Sequence, residues 1–400
     1  MKTTQHFDLA VVGGGPAGLS AACLAGVAGL RTAFWPGPER AEDLRTTALM
    51  LPAIKLLEHV GVWTDDLKAD CAPLARLQIR DATGRRPAAP TVTFEAHEIG
   101  QQEFGWNVPV APLVSALTDR LKDFSSVSIF DGGVSELDCA TDQTIVRSEA
   151  ADPVTVKAVI AADGQNSICR KSAGISVTRW AYPQTAIVTS FAHSKPHKNI
   201  SIEFHRGAGP LTTVPLPGKR SSLVWIETDE DAEDLAGLSD EAFAKRLTRE
   251  TASALGHITD MTKRGRFHIA GSVARQFAKS RVFLVGETAH VIPPIGAQGL
   301  NLSLRDAALA VELIGAAHAA GEDIGGRGVL ETYDRRRRVD VFPRQVAIDL
   351  LNRTLTSSFL PFQGARSLGL AALQSIGPLR RTVMQEGLAP TRGLPKVMEI

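Results

Sequence analysis

The run Gly13-Gly14-Gly15-Pro16-Ala17-Gly18 satisfies G-x-G-x-x-G, a spacing that suits the close approach of main chain to a pyrophosphate. Gly13 permits a tight turn, Gly15 lets the backbone near the phosphates, and Gly18 lets a helix pack close to a strand. Ala17 falls at the start of that helix, whose free N–H groups and positive dipole end would face the anion. The pattern alone is weak evidence, and its setting strengthens it. Residues 7–12 read as a buried strand, 17–28 as an Ala- and Leu-rich helix capped by Gly29, and 31–35 as a second strand. An acidic residue is expected roughly 20 positions after the fingerprint, to hold a ribose. Pro36 stands about there, so Glu39 is the nearest carboxylate for the task.

A second chemical segment lies near the other end of the chain. Residues 281–285 read as a strand, followed by Gly286-Glu287-Thr288-Ala289-His290 and a loop over 291–299. A helix begins near Leu300, with Leu304, Ala308 and Val311 on one face. Pro293 and Pro294 stiffen the loop, while Gly296 and Gly299 let its backbone approach a flat ligand. The helix start, with Leu300 and Asn301, would suit the anionic edge of a reduced flavin. Pro293, Gly296 and Gln298 would then form the wall beside the ring, and Glu287 would accept hydrogen bonds from ribityl hydroxyls. Taken singly, His290 reads as a packed histidine and Asn301 as a helix cap. Between the motifs, a strand over 156–162 ends in Asp163-Gly164, which alone is a common turn.

The elements that must position these residues fit an ordinary globular chain. It has 400 residues, 44% hydrophobic and 22% charged, enough for one large domain or two smaller ones. A net charge of +1 gives no reason to expect nucleic acid. The basic run 335–338, flanked by Asp334 and Asp340, reads as a solvated or ion-paired helix face. Cys23, Cys71, Cys139 and Cys169 form no close pair, so disulfide and zinc readings fail and a cytoplasmic setting is expected. Residues 9–30 carry no charge, yet Gly13-Gly14-Gly15-Pro16 breaks any membrane-spanning helix there. Runs over 186–191, 200–204, 211–214 and 223–226 read as sheet strands. The acidic stretch 229–234 reads as a loop before a helix over 240–255. There is no second complete G-x-G-x-x-G, so NAD(P)H or another electron donor would bind only transiently. The expected division is a discontinuous dinucleotide-binding domain of 1–75, 105–178 and 272–335, a second domain of 76–104 and 179–271, and a helical region of 336–400. That last region reads as packing onto the first domain or as a docking surface for membrane or partner subunits.

Together these elements resemble the class A flavin monooxygenases, and more narrowly the ubiquinone-biosynthesis hydroxylases. The carrying segments are Asp43-Leu44-Arg45-Thr46-Thr47-Ala48-Leu49, Gly61-Val62-Trp63, Glu98-Ile99-Gly100 and Phe104-Gly105-Trp106-Asn107-Val108-Pro109. Further along come Pro293-Pro294-Ile295-Gly296-Ala297-Gln298-Gly299-Leu300-Asn301-Leu302, Arg305-Asp306, Leu351-Asn352-Arg353, Phe359-Leu360-Pro361 and Met384-Gln385-Glu386-Gly387. The resemblance spans nearly the whole chain. It implies an α/β fold, with a Rossmann-like FAD-binding domain, an inserted β-sheet substrate domain and C-terminal helices. It also implies that Arg45 contacts the flavin side of FAD, that Asp163 lies near the cofactor and that Gly286-Glu287 holds the ribityl chain. Val134 is a further candidate cofactor contact. The implied reaction is hydroxylation of a polyprenylated phenol by O2 through a C4a-hydroperoxyflavin, with Asn107, Phe204 and Trp225 as candidate substrate contacts. Membership of a ubiquinone-biosynthesis complex and peripheral contact with the inner face of the membrane would follow. Two positions depart from the family: Pro36 where the ribose carboxylate is expected, and Ala111 where an Arg usually touches the cofactor. They keep open a non-catalytic, weakly FAD-binding subunit. A hydroxylase of a soluble aromatic compound is the other alternative.

Overall fold

The structure is a computed structural model that describes residues 5–38, 43–84, 89–356, 369, 371–387, 390 and 393–400. The strand β1 (Gln5–Val12) ends in four buried apolar residues. It runs parallel to β2 (Thr32–Trp35) on one side and to β11 (Val154–Ala161) on the other. The sheet continues from β2 to β8 (Val127–Ile129) and from β11 to β19 (Val282–Leu284) and β18 (Ala278–Lys279). The meander β9 (Val134–Cys139) and β10 (Thr144–Ser148) pairs onto β11. Strands buried on both faces read as near-continuous apolar runs, as β1 and β11 do.

Helix α1 (Pro16–Val27) covers this sheet. Proline stands at its first position, where the missing N–H costs nothing. Residues 18–26 are all buried. Small Ala, Gly and Ser side chains allow this, since α1 lies between the sheet, α4 (Val110–Leu121) and α8 (Gln298–Ala319). Gly29 has φ +68° and follows the last helical turn, the left-handed stop that glycine provides. A small sheet of β3 (Thr46–Met50), β4 (Ala72–Pro73) and β7 (Gly105–Pro109), with α2 (Leu51–His59) and α3 (Asp65–Ala69), completes this side.

The second large sheet is mostly antiparallel. Its order is β20 (His290–Val291), β17 (Gly265–Ala274), β12 (Val177–His193), β15 (Arg220–Thr228), β14 (Pro210–Leu216), β13 (Ile200–His205), β5 (Arg76–Asp81) and β6 (Val92–Glu95). The short β16 (Ile258–Thr259) pairs onto β12. α5 (Ile168–Ser172) leads from the first sheet towards β12. One face of the second sheet packs on α6 (Asp229–Gly237) and α7 (Asp240–Glu250). The acidic stretch is thus a helix: Thr228 caps it, and Asp229, Glu230 and Asp231 sit in its first turn, where the dipole favours negative charge.

The expected boundaries at 178/179 and 271/272 fall inside β12 and β17, which cross between the layers. The boundary at 335/336 falls inside α9 (Arg327–Thr356). That helix buries Tyr333, Arg337, Val341, Gln345, Ile348, Asn352 and Leu355, one face at helical spacing. Of the basic run, Arg336 pairs with Glu312 and Arg338 with Asp334, but Arg337 is 2% exposed and belongs to the interior. The segment Phe359-Leu360-Pro361 lies outside the described residues.

Candidate cofactor and substrate site

Strands β1, β11 and β19 lie side by side and all point the same way. Their carboxyl ends therefore deliver three segments to one edge: Gly13 after β1, Asp163 after β11 and Gly286 after β19. That edge is where open α/β sheets receive ligands.

At the glycine turn the three motif positions differ in kind. Gly13 has φ +124°, and an added Cβ would lie 2.1 Å from the Ala162 carbonyl oxygen. A Cβ on Gly18 would lie 1.9 Å from the Gly13 oxygen. Both glycines are needed for packing alone. A Cβ on Gly15 would meet nothing within 4 Å, so this residue borders open space beside the N-terminus of α1. The turn fits a pyrophosphate: backbone N–H groups with free room in front of them. Gly164, Gly296 and Gly299 also border open space, and a flat ligand needs such clearance.

Cross-links fix the other two segments. Thr288 Oγ1 donates to Asp163 Oδ1 at 3.3 Å and accepts from the Gly164 N–H at 3.0 Å. Asp163 Oδ2 accepts the Cys169 N–H. Gly286 sits between α1 and α8, with an added Cβ 3.7 Å from Ala17 Cβ and 3.0 Å from Ser303 Oγ. Glu287 is exposed and accepts from Gln165 Nε2 at 3.2 Å. Arg45 holds its guanidinium 5.0 Å from the Phe267 ring centre, close enough to Glu287 to feel its charge. It is paired in a fork with Asp43, which raises its pKa and, against the opposing effect of burial, lowers that of Asp43.

The loop before α8 ends at Ala297, which has φ +53°. A non-glycine residue held in that region stores strain, and such strain concentrates at ligand sites. Asn301 is no cap: it sits in the first turn of α8 and joins that turn to β3. Its Oδ1 accepts the Met50 N–H at 2.9 Å, and its Nδ2 donates to the Ala48 and Ala297 oxygens. Leu300 is half-buried and packs against the main core, and Pro293 is buried at the loop's start. Gln298 Nε2 donates to the Gly296 and Gly387 oxygens, so the helix Gly377–Gly387 closes over the loop. Arg380 of that helix pairs with Glu98 in a fork. Two segments quoted for the resemblance, at 98–100 and 384–387, are thereby brought together, a contact that no spacing in the chain signals.

Around β2 the cofactor side is plainer. Trp35 stacks on Phe130 with centroids 4.7 Å apart, and Pro36 packs on the glycine turn. Glu39 lies outside the described residues. Val134 is buried at the start of β9, next to Gly133, whose added Cβ would lie 3.9 Å from Pro38. Ala111 stands in the first turn of α4 and brings no charge.

The substrate candidates separate. Trp225 and Phe204 are 0% and 2% exposed and belong to the core formed with Phe243 and Leu247 of α7. Trp225 Nε1 donates to Glu227 within that layer. They face the layer of α6 and α7, because successive residues of a strand point to opposite faces. Ser222 and Ile226 take the other phase, and Ile226 packs with the FAD-domain core. Ser222 Oγ accepts from Thr46 Oγ1 at 2.8 Å and from Asn107 Nδ2 at 3.1 Å. Asn107 Nδ2 also donates to the Pro215 oxygen at 2.8 Å. That oxygen can only accept, so the amide orientation is fixed. Asn107 Oδ1 is then left buried with no partner among the described residues. Such an acceptor is costly unless something else satisfies it.

Comparison with known proteins agrees with this geometry. The family model described as FAD binding domain matches residues 6–346. Ubiquinone hydroxylase UbiL of Rhodospirillum rubrum is 31% identical over 389 residues, covering 95% of this chain and 89% of that protein. The 3-demethoxyubiquinol 3-hydroxylase of Escherichia coli is 28% identical, covering 96% and 99%. Among solved structures, p-nitrophenol 4-monooxygenase PnpA from Pseudomonas putida superposes with a TM-score of 0.79 at 19% identity, over 97% of this chain and 100% of that one. At that identity the likeness shows a shared fold.

Proposed function

The chain belongs to the FAD binding domain family, and we propose that it is an FAD-dependent monooxygenase that hydroxylates the ring of a polyprenylated phenol in ubiquinone biosynthesis. The observation that carries the cofactor reading is the convergence of Gly13, Asp163 and Gly286 on one sheet edge, with open space at Gly15. The similarity to ubiquinone hydroxylases supports the substrate class.

In this reading Gly15 and the start of α1 bind the pyrophosphate, and Glu287 accepts from the ribityl hydroxyls. Arg45 then exchanges part of its pairing with Asp43 for the cofactor. The start of α8 and the loop from Pro293 to Gly299 line one side of the flavin, with Gln298 anchoring the loop to the helix above it. Bound FAD, reduced by NAD(P)H or another donor, supplies the activation of O2 that side chains cannot. The protein's own tasks are orientation and exclusion of water. Asn107 Nδ2 ties the small sheet to the substrate sheet at Pro215 and Ser222. Ser222 and Thr46 hold Asn107 in place.

No described helix is long and apolar enough to cross a membrane. The outer face of α9 supports a contact with the substrate's membrane or with other subunits of the pathway. Val339, Phe342, Val346 and Leu350 are 51–72% exposed there at helical spacing.

Turnover under 18O2 tests the proposal, with a polyprenylated phenol and a soluble aromatic acid compared. One labelled oxygen in the prenylated product supports it. Labelling of the soluble acid alone would move the chain to the soluble-substrate reading. Absence of both in flavin-loaded protein would favour a supporting subunit, the reading that Pro36 and Ala111 motivate.

A further inference from the structure

The Gly286-Glu287 turn is held by more than its packing between α1 and α8. Gly286 has φ +66°, and its N–H donates to Asp306 Oδ2 at 2.8 Å. The same oxygen lies 2.7 Å from His290 Nε2, and Asp306 Oδ1 accepts from Arg337 Nε at 2.6 Å. An ionised carboxylate only accepts, so His290 carries its proton on Nε2. All three side chains are buried, at 0–2% exposure. Burial pushes the Asp306 pKa up, but Arg337 and His290 outweigh it, and the carboxyl stays below its ordinary range.

The network continues outward. Arg337 Nη1 donates to Asp340 Oδ2, and Asp340 Oδ1 accepts from Arg305 and Arg344. One carboxylate on α8 therefore joins the turn after β19, His290 of β20, which leads into the loop, and the helix α9.

We infer that Asp306 is a positioning residue for the cofactor: it sets the Gly286 turn and, through His290, the start of the flavin-side loop. Arg337 of α9 supplies the counter-charge that keeps the carboxylate ionised in the core. The inference rests on the reading that this turn and loop receive FAD. It differs from a purely structural role in one respect. A buried ion pair that only joined α8 to α9 would change stability and leave the affinity of the folded protein for FAD untouched.

The experiment measures FAD affinity by flavin absorbance, together with the flavin midpoint potential and the melting temperature. The variants are Asp306→Asn, His290→Gln and Arg337→Lys, with Glu227→Gln as the control. Glu227 is a buried carboxylate, 3% exposed, paired with Arg206 in the substrate sheet. Asp306→Asn is expected to weaken FAD binding about tenfold, the size of one lost hydrogen bond to a charged group, and to shift the midpoint potential. Glu227→Gln is expected to lower the melting temperature with FAD affinity unchanged. His290→Gln keeps a donor facing Asp306 and is expected to retain FAD affinity. If Asp306→Asn does not fold, Arg337→Lys carries the test, with FAD binding weakened in the folded protein. Wild-type affinity in the folded Asp306 or Arg337 variant, or an equal loss in the control, would overturn the inference. A wild-type protein that takes up no FAD would overturn the site reading and this inference with it.

Discussion

The two large sheets use their residues in opposite ways. The parallel sheet gathers its chemistry at strand ends, where Gly13, Asp163 and Gly286 arrive together whichever faces the strands turn. The antiparallel sheet carries its chemistry on a face, so a shift of one residue decides everything. Trp225 and Ser222 are three positions apart on one strand and belong to different layers. Motif spacing therefore suffices to bring residues to one edge in the first sheet, and strand phase decides which layer a residue faces in the second.

The sharpest way to break this comparison is Trp225→Ala. Complete burial against Phe243 means a loss of about 3–5 kcal/mol, read by denaturant unfolding, with the choice of ring position unaltered. A folded variant with normal stability and altered substrate KM would return Trp225 to the site. Gly13→Ala follows in size. Backbone strain alone costs about 1–3 kcal/mol at a left-handed position, the clash with Ala162 adds to it, and FAD binding is expected to fail with stability. Gly15→Ala separates the two effects. Its Cβ meets no protein atom, so the melting temperature is expected to hold while FAD affinity falls about tenfold, or 1.4 kcal/mol.

Acid sharpens the same contrast through α8. Asp306 and Asp340 are buried, which raises their pKa values, but the surrounding arginines (with His290 at Asp306) lower them further. Carboxyls with depressed native pKa values contribute stability that is complete above their unfolded pKa of about 3.9. The contribution is lost as pH falls through the native values. The melting temperature is therefore expected to be flat in these groups from pH 7 to about 5 and to fall below about 4. The acid limb should be shallower in Asp306→Asn. The smallest effect on the fold is expected from Phe342→Glu on the outer face of α9. Stability should change by less than about 0.5 kcal/mol, while binding to phospholipid vesicles is expected to be lost.

Much of the sheet edge proposed for the cofactor was legible because its signals are local. The strand, glycine turn and helix over 5–27 follow from residue types within one window, and so does the strand before Gly286. The start of α8 was placed about two residues late, near Leu300, because the helix begins at Gln298 after a left-handed Ala297 that no propensity favours. The stretch 229–234 was misread as a loop because its acidity suggested solvent, whereas acidic residues after a Thr cap favour a helix start. Phe204 and Trp225 were offered as substrate contacts, since the alternation in β13 and β15 does not say that α7 covers their face. The burial of Arg337 was hidden for a related reason. Its partner Asp306 is 31 positions away on another helix, and only the packing of α8 against α9 brings them together.

The most direct test is a visible absorption titration of the purified protein with FAD. One flavin per chain, bound despite Pro36 and Ala111 and weakened in Gly15→Ala, is the expected result. Wild-type protein that shows no flavin bands at saturating FAD would contradict the assignment of the sheet edge as the cofactor site.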